Sequence, residues 1–378
     1  MTAFTTTPPP SLDDPAFADH FLQLVGDGDE YGAVEAVTAL LDAGAPPQRV
    51  MIDLIARTQS RVGELWAANE WSVAREHAAT AISERALAAV AARTSVRPSR
   101  GRITIACVDG EWHALPVRIL AETLRLDGWR VDFLGASVPG PHLVTHLHQT
   151  GPDAVALSCM LAIRLPRAHA AITASRSAGV PVIAGGRGFG PDGRYAKRLG
   201  ADAWAPNAEE AVARLSADWP PAVPGSFAGS ASGSRGDLHG DSLGGSLGGS
   251  LGGSLDGSLD GFLGDDEYTH VVRRRAELIG TAMERLVAAY PAMTAYDRRQ
   301  TDATAEDMGH IVDFLSAALY VGDDRIVTDF VDWTAGVLAA REVPPAALVA
   351  GLRLIRDQVR DCPRAATMLN TGLTRLPA

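Results

Sequence analysis

The chain has only three cysteines in 378 residues: Cys107, Cys159 and Cys362. Their spacing gives neither a disulfide framework nor a paired metal site, so a reducing compartment is the simple expectation. Lysine is almost missing. Lys197 stands alone, and the other 33 basic residues are Arg. A net charge of −11 has the wrong sign for a nucleic-acid partner, whose footprint on a protein is a basic patch. No apolar run reaches the ~18 residues of a membrane span. The first residues, Met1 to Pro15, lack the basic start and apolar core of a secretory signal. Together these absences predict a cytoplasmic chain with no membrane and no nucleic-acid partner. Wholesale disorder is excluded too, because 46% hydrophobic residues are enough to bury cores.

Glycine is plentiful in one place only. Of 38 Gly, thirteen lie between Gly225 and Gly261, where Ser242–Gly261 repeats a Ser-Leu-Gly-Gly tetrad and its Ser-Leu-Asp-Gly variant. Residues 221–265 are therefore expected to form a flexible Gly/Ser-rich linker. Residues 15–97 have apolar positions at helical period (Phe17, Phe21, Leu24, then Val34, Val37, Leu40) and read as a small helical bundle. Ser72 is placed to cap a helix running through Glu76 and His77 towards Val90. Over residues 101–220 the pattern changes. Short apolar strands at 103–108, 130–134, 154–158, 180–185 and 203–205 alternate with helical runs. That alternation predicts a flavodoxin-like, doubly wound parallel sheet with its ligand at the carboxyl ends of the strands. Beyond the linker, residues 266–378 read as all-helical, with runs at 271–289, 305–320, 325–341 and 345–360. The expected fold class is α/β plus all-α.

Three loops carry the chemistry. Glu111 and His113 follow the first strand, Ser158 and Leu161 the third, and Gly185-Gly186 the fourth, so all should open onto one edge of the sheet. A lone His at a strand end is more often an ordinary polar loop residue. The combination, however, resembles the signature of cobalamin-binding domains, Asp/Glu-x-His-x-x-Gly with Ser-x-(x)-Leu and Gly-Gly. The resemblance implies that His113 replaces the cofactor's own dimethylbenzimidazole as lower axial ligand of cobalt. Glu111 would set its tautomer and basicity. Ser158, Leu161, Gly185 and Gly186 would line the slot for the displaced nucleotide tail, with Val138 in the neighbouring loop. Pro116 stands where that family has Gly; proline is tolerated in a helix's first turn.

Trp66 is followed by nine residues and then Glu76-His77. Ahead of a cobalamin domain, this set resembles the light-sensing adenosylcobalamin proteins, which include repressors of carotenoid synthesis. The resemblance implies that Trp66, Glu76 and His77 cover the 5′-deoxyadenosyl group on the upper face of the corrin. Some of those repressors have a His directly after the Trp; here it is Ala67. They also carry a DNA-binding domain ahead of the helices, and about fifteen residues are too few for one. A helical domain after such a module resembles the photocobilins. That likeness implies a C-terminal globin-like helical domain holding biliverdin. Arg273, Asp307, His310, Tyr320 and Trp333 are the candidate contacts, and no Cys in a recognisable attachment context predicts non-covalent binding. The expected function is a light sensor rather than an enzyme, binding adenosylcobalamin and biliverdin. It would be a homo-oligomer whose self-association changes with light, acting on an unidentified downstream protein. Two other readings stay open: a corrinoid carrier for methyl transfer, and a light-independent cobalamin-binding regulator whose last domain only dimerises.

Overall fold

The structure is a computed structural model that describes residues 11–217, 219 and 263–377. The expected linker lies outside the described residues, apart from 263–265.

The first part is helical: α1 (Pro15–Asp27), α2 (Glu30–Asp42), the short α3 (Pro47–Arg49), α4 (Arg57–Ala67) and α5 (Val73–Ala92). A π-helical stretch, Val50–Ala56, joins α3 to α4. Asp14, Asp29 and Ser72 each accept a backbone N–H at a helix start, satisfying donors that have no intrahelical partner. Phe21, Val37, Leu40, Met51, Ile55 and Leu87 point inward to one core. Leu115 and Ile119 from the next segment belong to that same core, so the helical layer sits directly on the α/β unit.

That unit alternates β1 (Arg102–Cys107), α6 (Ala114–Leu126), β2 (Arg130–Gly135), α7 (Gly140–Thr150), β3 (Ala154–Ser158), α8 (Leu165–Ser177), β4 (Val182–Gly185), α9 (Arg194–Arg198), β5 (Ala203–Ala205) and α10 (Ala208–Ala217). All pairings are parallel and the order is β2-β1-β3-β4-β5, the flavodoxin-like order read from the sequence. Both faces are covered. Ile103, Ile105 and Cys107 enter one core while Ala106, Val155 and Leu157 enter the other, the two-residue alternation of a strand. Cys107, Ser158, Gly185 and Ala205 are register partners across four strands. The loops that follow them therefore leave from one edge, where the site is.

The last part comprises α11 (Asp266–Arg273), α12 (Arg275–Ala289), α13 (Arg298–Val321), α14 (Arg325–Ala340), α15 (Ala346–Gln358) and α16 (Pro363–Leu373). Two details correct the sequence expectation. The helix expected over 271–289 is interrupted at Arg274, and a further helix, α16, begins just beyond Cys362. Pro363 opens α16 at its first position, where a missing N–H costs nothing. Among the described residues, no helix is long and apolar enough to cross a membrane.

These helices pack against the sheet unit. Val182 and Phe189 share a core with Leu315, Leu319 and Phe330. At the same contact, Tyr195 donates to Asp323 at 3.0 Å, and His169 Nδ1 lies 2.6 Å from the Tyr320 hydroxyl. Burial pushes the His169 pKa below its ordinary value of 6.5. The folded state thus resists a proton that the unfolded chain accepts. Stability is full above that ordinary value and falls as pH drops through it. Acidification is expected to loosen this contact, and His169→Phe should flatten that pH dependence; thermal melts across the acid range check it.

Candidate functional site

Glu111 is the centre of the site. The chain leaves β1, turns at Gly110 (φ +78°), and drives the Glu111 side chain back under the strand ends, where the residue is 1% exposed. One carboxylate oxygen accepts from the His113 backbone N–H at 3.0 Å and lies 2.5 Å from His113 Nδ1. The other accepts from the N–H groups of Met160 and Leu161, at 2.7 and 3.2 Å. A single buried carboxylate thus ties the loop after β1 to the loop after β3. Burial by itself would raise its pKa, but the bonds from His113 and Met160 outweigh burial and hold it below the ordinary value.

The imidazole answers in the opposite sense. The hydrogen bond to Glu111 raises the His113 pKa, burial opposes it, and the charges of Glu111 and Glu76 add to the rise. In the neutral ring, Nδ1 against a carboxylate takes the proton and leaves Nε2 with its lone pair, the arrangement of metal-ligating histidines. The His113 side chain remains 54% exposed, so Nε2 can be reached. Pro116 is the third residue of α6, inside the first turn, and does not disturb this loop.

The neighbouring loops bring the other expected residues to the same edge. Val138 donates its N–H to the Cys107 carbonyl at 3.2 Å. Leu161 is 38% exposed, and the half-buried Ser158 stands in the register row beside Gly185. Gly186 has φ +103°, and a Cβ there would lie 2.3 Å from the Cys159 carbonyl oxygen. The loop after β4 therefore lies directly on the loop after β3, an approach only glycine permits. Trp112, at 73% exposure beside His113, was not anticipated; a bulky indole left in solvent next to a ligand-competent imidazole is its signal.

The helical layer supplies the opposite wall. Glu76 lies in the first turn of α5 and His77 follows it, with His77 Nδ1 2.5 Å from the Glu76 carboxylate. Thr80 donates to Glu76 at 3.1 Å and Gln59 donates to Thr80 at 2.6 Å, leaving the buried Gln59 Oε1 without a partner. Val73, one turn before Glu76 and His77, is 53% exposed. Trp66 occupies the last turn of α4. Because the Glu76 charge reaches His113, the two walls stand within electrostatic range of each other.

This set fits a corrinoid. The lower wall offers one imidazole with its far nitrogen clamped. The upper wall offers an indole, an exposed Val and an acid–imidazole pair, together with an orphaned amide oxygen able to accept from a hydroxyl or amide. The five candidate bilin contacts are placed differently. Arg273, Asp307 and His310 are exposed on α11 and α13. Tyr320 meets His169 and Tyr268, about 20 Å along α13 from Asp307. Trp333 stacks on Trp66.

Comparison with known proteins agrees with the corrinoid chemistry. Residues 101–216 match a family model described as a B12 binding domain, and residues 18–91 match a second model with the same description. The HTH-type transcriptional repressor CarA of Myxococcus xanthus is 38% identical over 144 residues, 37% of this chain and 49% of the repressor. The chain thus spans about half the length of that relative. The trimethylamine corrinoid protein of Methanosarcina barkeri is 24% identical over 203 residues, 52% of this chain and 93% of that protein. The solved structure of the monomethylamine corrinoid protein of Methanosarcina barkeri aligns with a TM-score of 0.48 at 17% identity, over 53% of this chain and 97% of that one. The two domain matches and these relatives support a cobalamin-binding family.

Proposed function

We propose that the protein is a light sensor, not an enzyme, with adenosylcobalamin as its chromophore. What supports this reading is the His113 imidazole clamped by Glu111 and within reach of the Glu76 charge from the helical layer. When bound, adenosylcobalamin supplies a cobalt–carbon bond that visible light breaks. His113 Nε2 would be the protein's ligand to the cobalt, with Glu111 holding the proton on the other nitrogen. Trp66, Glu76 and His77 would cover the adenosyl group and keep water from it. Those contacts exist only while that group is in place, so its departure changes the relative stability of two positions of the helical layer. The output is a change in self-association of a cytoplasmic homo-oligomer, passed to a downstream protein without nucleic acid or membrane. The C-terminal helices form a globin-like unit that holds biliverdin non-covalently and extends absorption to the red; of the five expected contacts, Arg273, Asp307 and His310 remain candidates, whereas Tyr320 is engaged by His169 and Trp333 by Trp66.

Adenosylcobalamin-loaded protein is expected to change its absorption spectrum and its elution volume under green light. An unchanged spectrum removes the sensor reading. Protein reconstituted with biliverdin should gain a red band, and zinc-induced fluorescence that stays with the denatured band would overturn non-covalent binding. One observation favours a second reading, a corrinoid carrier for methyl transfer: the trimethylamine corrinoid protein aligns over 93% of its length. Methyl turnover in the dark with a partner methyltransferase would establish it.

A further inference from the structure

Helix α14 is tied at both ends to other parts of the chain. Just before its start, Asp323 accepts from Tyr195 of α9 at 3.0 Å, which fixes that end to the sheet unit. Its C-terminal half reaches the helical layer. The Trp333 ring stacks on Trp66 with centroids 6.0 Å apart and planes at 30°. The Arg341 guanidinium lies 5.4 Å from the Trp66 ring centroid, within cation–π range. The same guanidinium donates to the carbonyls of Trp66 and Ala67, at 3.3 and 3.4 Å. Those carbonyls close α4, where a cation complements the helix dipole and satisfies groups the helix itself cannot.

The clamp is itself held in place. Trp333, Val337 and Arg341 recur at four-residue intervals and so share one face of α14. Arg341 also donates to the Val337 carbonyl at 3.1 Å. The next residue, Glu342, has φ +56°, a left-handed conformation that a non-glycine residue holds only under constraint from its surroundings. Trp333 is 52% exposed, so it adds little to the core of its own unit, and its ring stacks on Trp66.

We propose that Trp333 and Arg341 are positioning residues for Trp66, and that α14 reads the state of the covered face through them. This rests on the sensor reading above. A helix of 16 residues is a rigid strut of about 24 Å. If the helical layer moves relative to the sheet unit, one end of the strut must let go. The bonds at both ends are part-buried, but the Tyr195–Asp323 bond is 3.0 Å long, whereas the Trp66 end relies on bonds of 3.3 and 3.4 Å and on Trp333, which is 52% exposed. The Trp66 end releases. The C-terminal helices are thereby informed of a change at the upper wall without touching the cofactor.

Hydrogen–deuterium exchange tests this in two arms. In protein without cofactor, Trp333→Ala and Arg341→Ala should each speed exchange at the C-terminal half of α14 and the end of α4 about tenfold, the equivalent of about 1.4 kcal/mol. Arg341→Lys, which keeps the charge and loses the fork, should fall between. Unchanged exchange in all three variants overturns the clamp. In adenosylcobalamin-loaded wild type, illumination should raise exchange at the same amides, and both alanine variants should abolish that difference. A light response that leaves α14 silent in the wild type overturns the readout role. If the loaded protein shows no spectral response to light, the sensor reading falls, and the cofactor-free arm still decides whether the clamp holds Trp66.

Discussion

Replacing His113 with alanine is expected to lower affinity for adenosylcobalamin by roughly a hundredfold or more while the fold survives. The stability cost is small because the side chain is 54% exposed and contributes little to any core. Glu111 loses one of its four donors, and the backbone N–H of residue 113 still reaches it, so the penalty is on the order of 1 kcal/mol. The binding cost is large because removing even an outer partner of a metal-ligating imidazole costs about 10–100-fold, and here the ligand itself goes. His77→Ala is the informative comparison. His77 belongs to the opposite wall and is 74% exposed, so its loss should weaken binding much less than loss of His113. Calorimetric titration in the dark, with melts of the cofactor-free proteins alongside, measures both effects. Equal affinities for the two variants would remove His113 from the cobalt.

The parts of the fold that were legible share a cause: their signals are local. Short apolar strands separated by helical runs define the sheet order, and Ser72 announces α5 three residues ahead of the N–H it accepts. The break at Arg274 has no such signal. No glycine or proline stops the helix there; Arg274 donates to the Gln358 carbonyl at 3.3 Å and pairs with Glu277, so a contact from α15 helps hold the interruption. Helix α16 lies beyond the last helical run expected from the sequence, which ends at residue 360; Pro363 opens it at its first position.

The same division runs through the site. Glu111 and His113 are two residues apart, and their pairing can be seen in the sequence. The donors that hold Glu111 from the other side, Met160 and Leu161, act through backbone N–H groups and leave no trace in residue type. The Trp66–Arg341 contact joins residues 275 positions apart and lies beyond any motif. Gly186 was read as making room for a cofactor tail, yet the room beside its α-carbon is filled by the Cys159 backbone. One glycine can serve loop packing and site shape together, and only coordinates separate the two.

Glu111→Ala is expected to destabilise the α/β unit markedly, for a reason that can be distinguished from loss of cofactor. The side chain is fully buried and is the only hydrogen-bond acceptor for the Met160 and Leu161 N–H groups among the described residues. Truncation leaves those donors without a partner and frees the His113 ring. An unsatisfied buried donor costs about 1–3 kcal/mol, and water can partly replace the acceptor at the exposed Leu161, so cofactor-free protein should lose roughly 1–3 kcal/mol. Glu111→Gln separates folding from ligation. The amide keeps the volume and one acceptor oxygen, so it should recover about half of the stability. Its NH2 group cannot accept, however, and the neutral oxygen binds the imidazole proton more weakly than a carboxylate does. Cobalamin affinity should therefore stay about 10–100-fold below wild type even where stability returns. Denaturant melts of the cofactor-free proteins and dark titrations with adenosylcobalamin read the two effects independently. An alanine variant within about 1 kcal/mol of wild type would mean that the loops after β1 and β3 are held together by something other than this carboxylate.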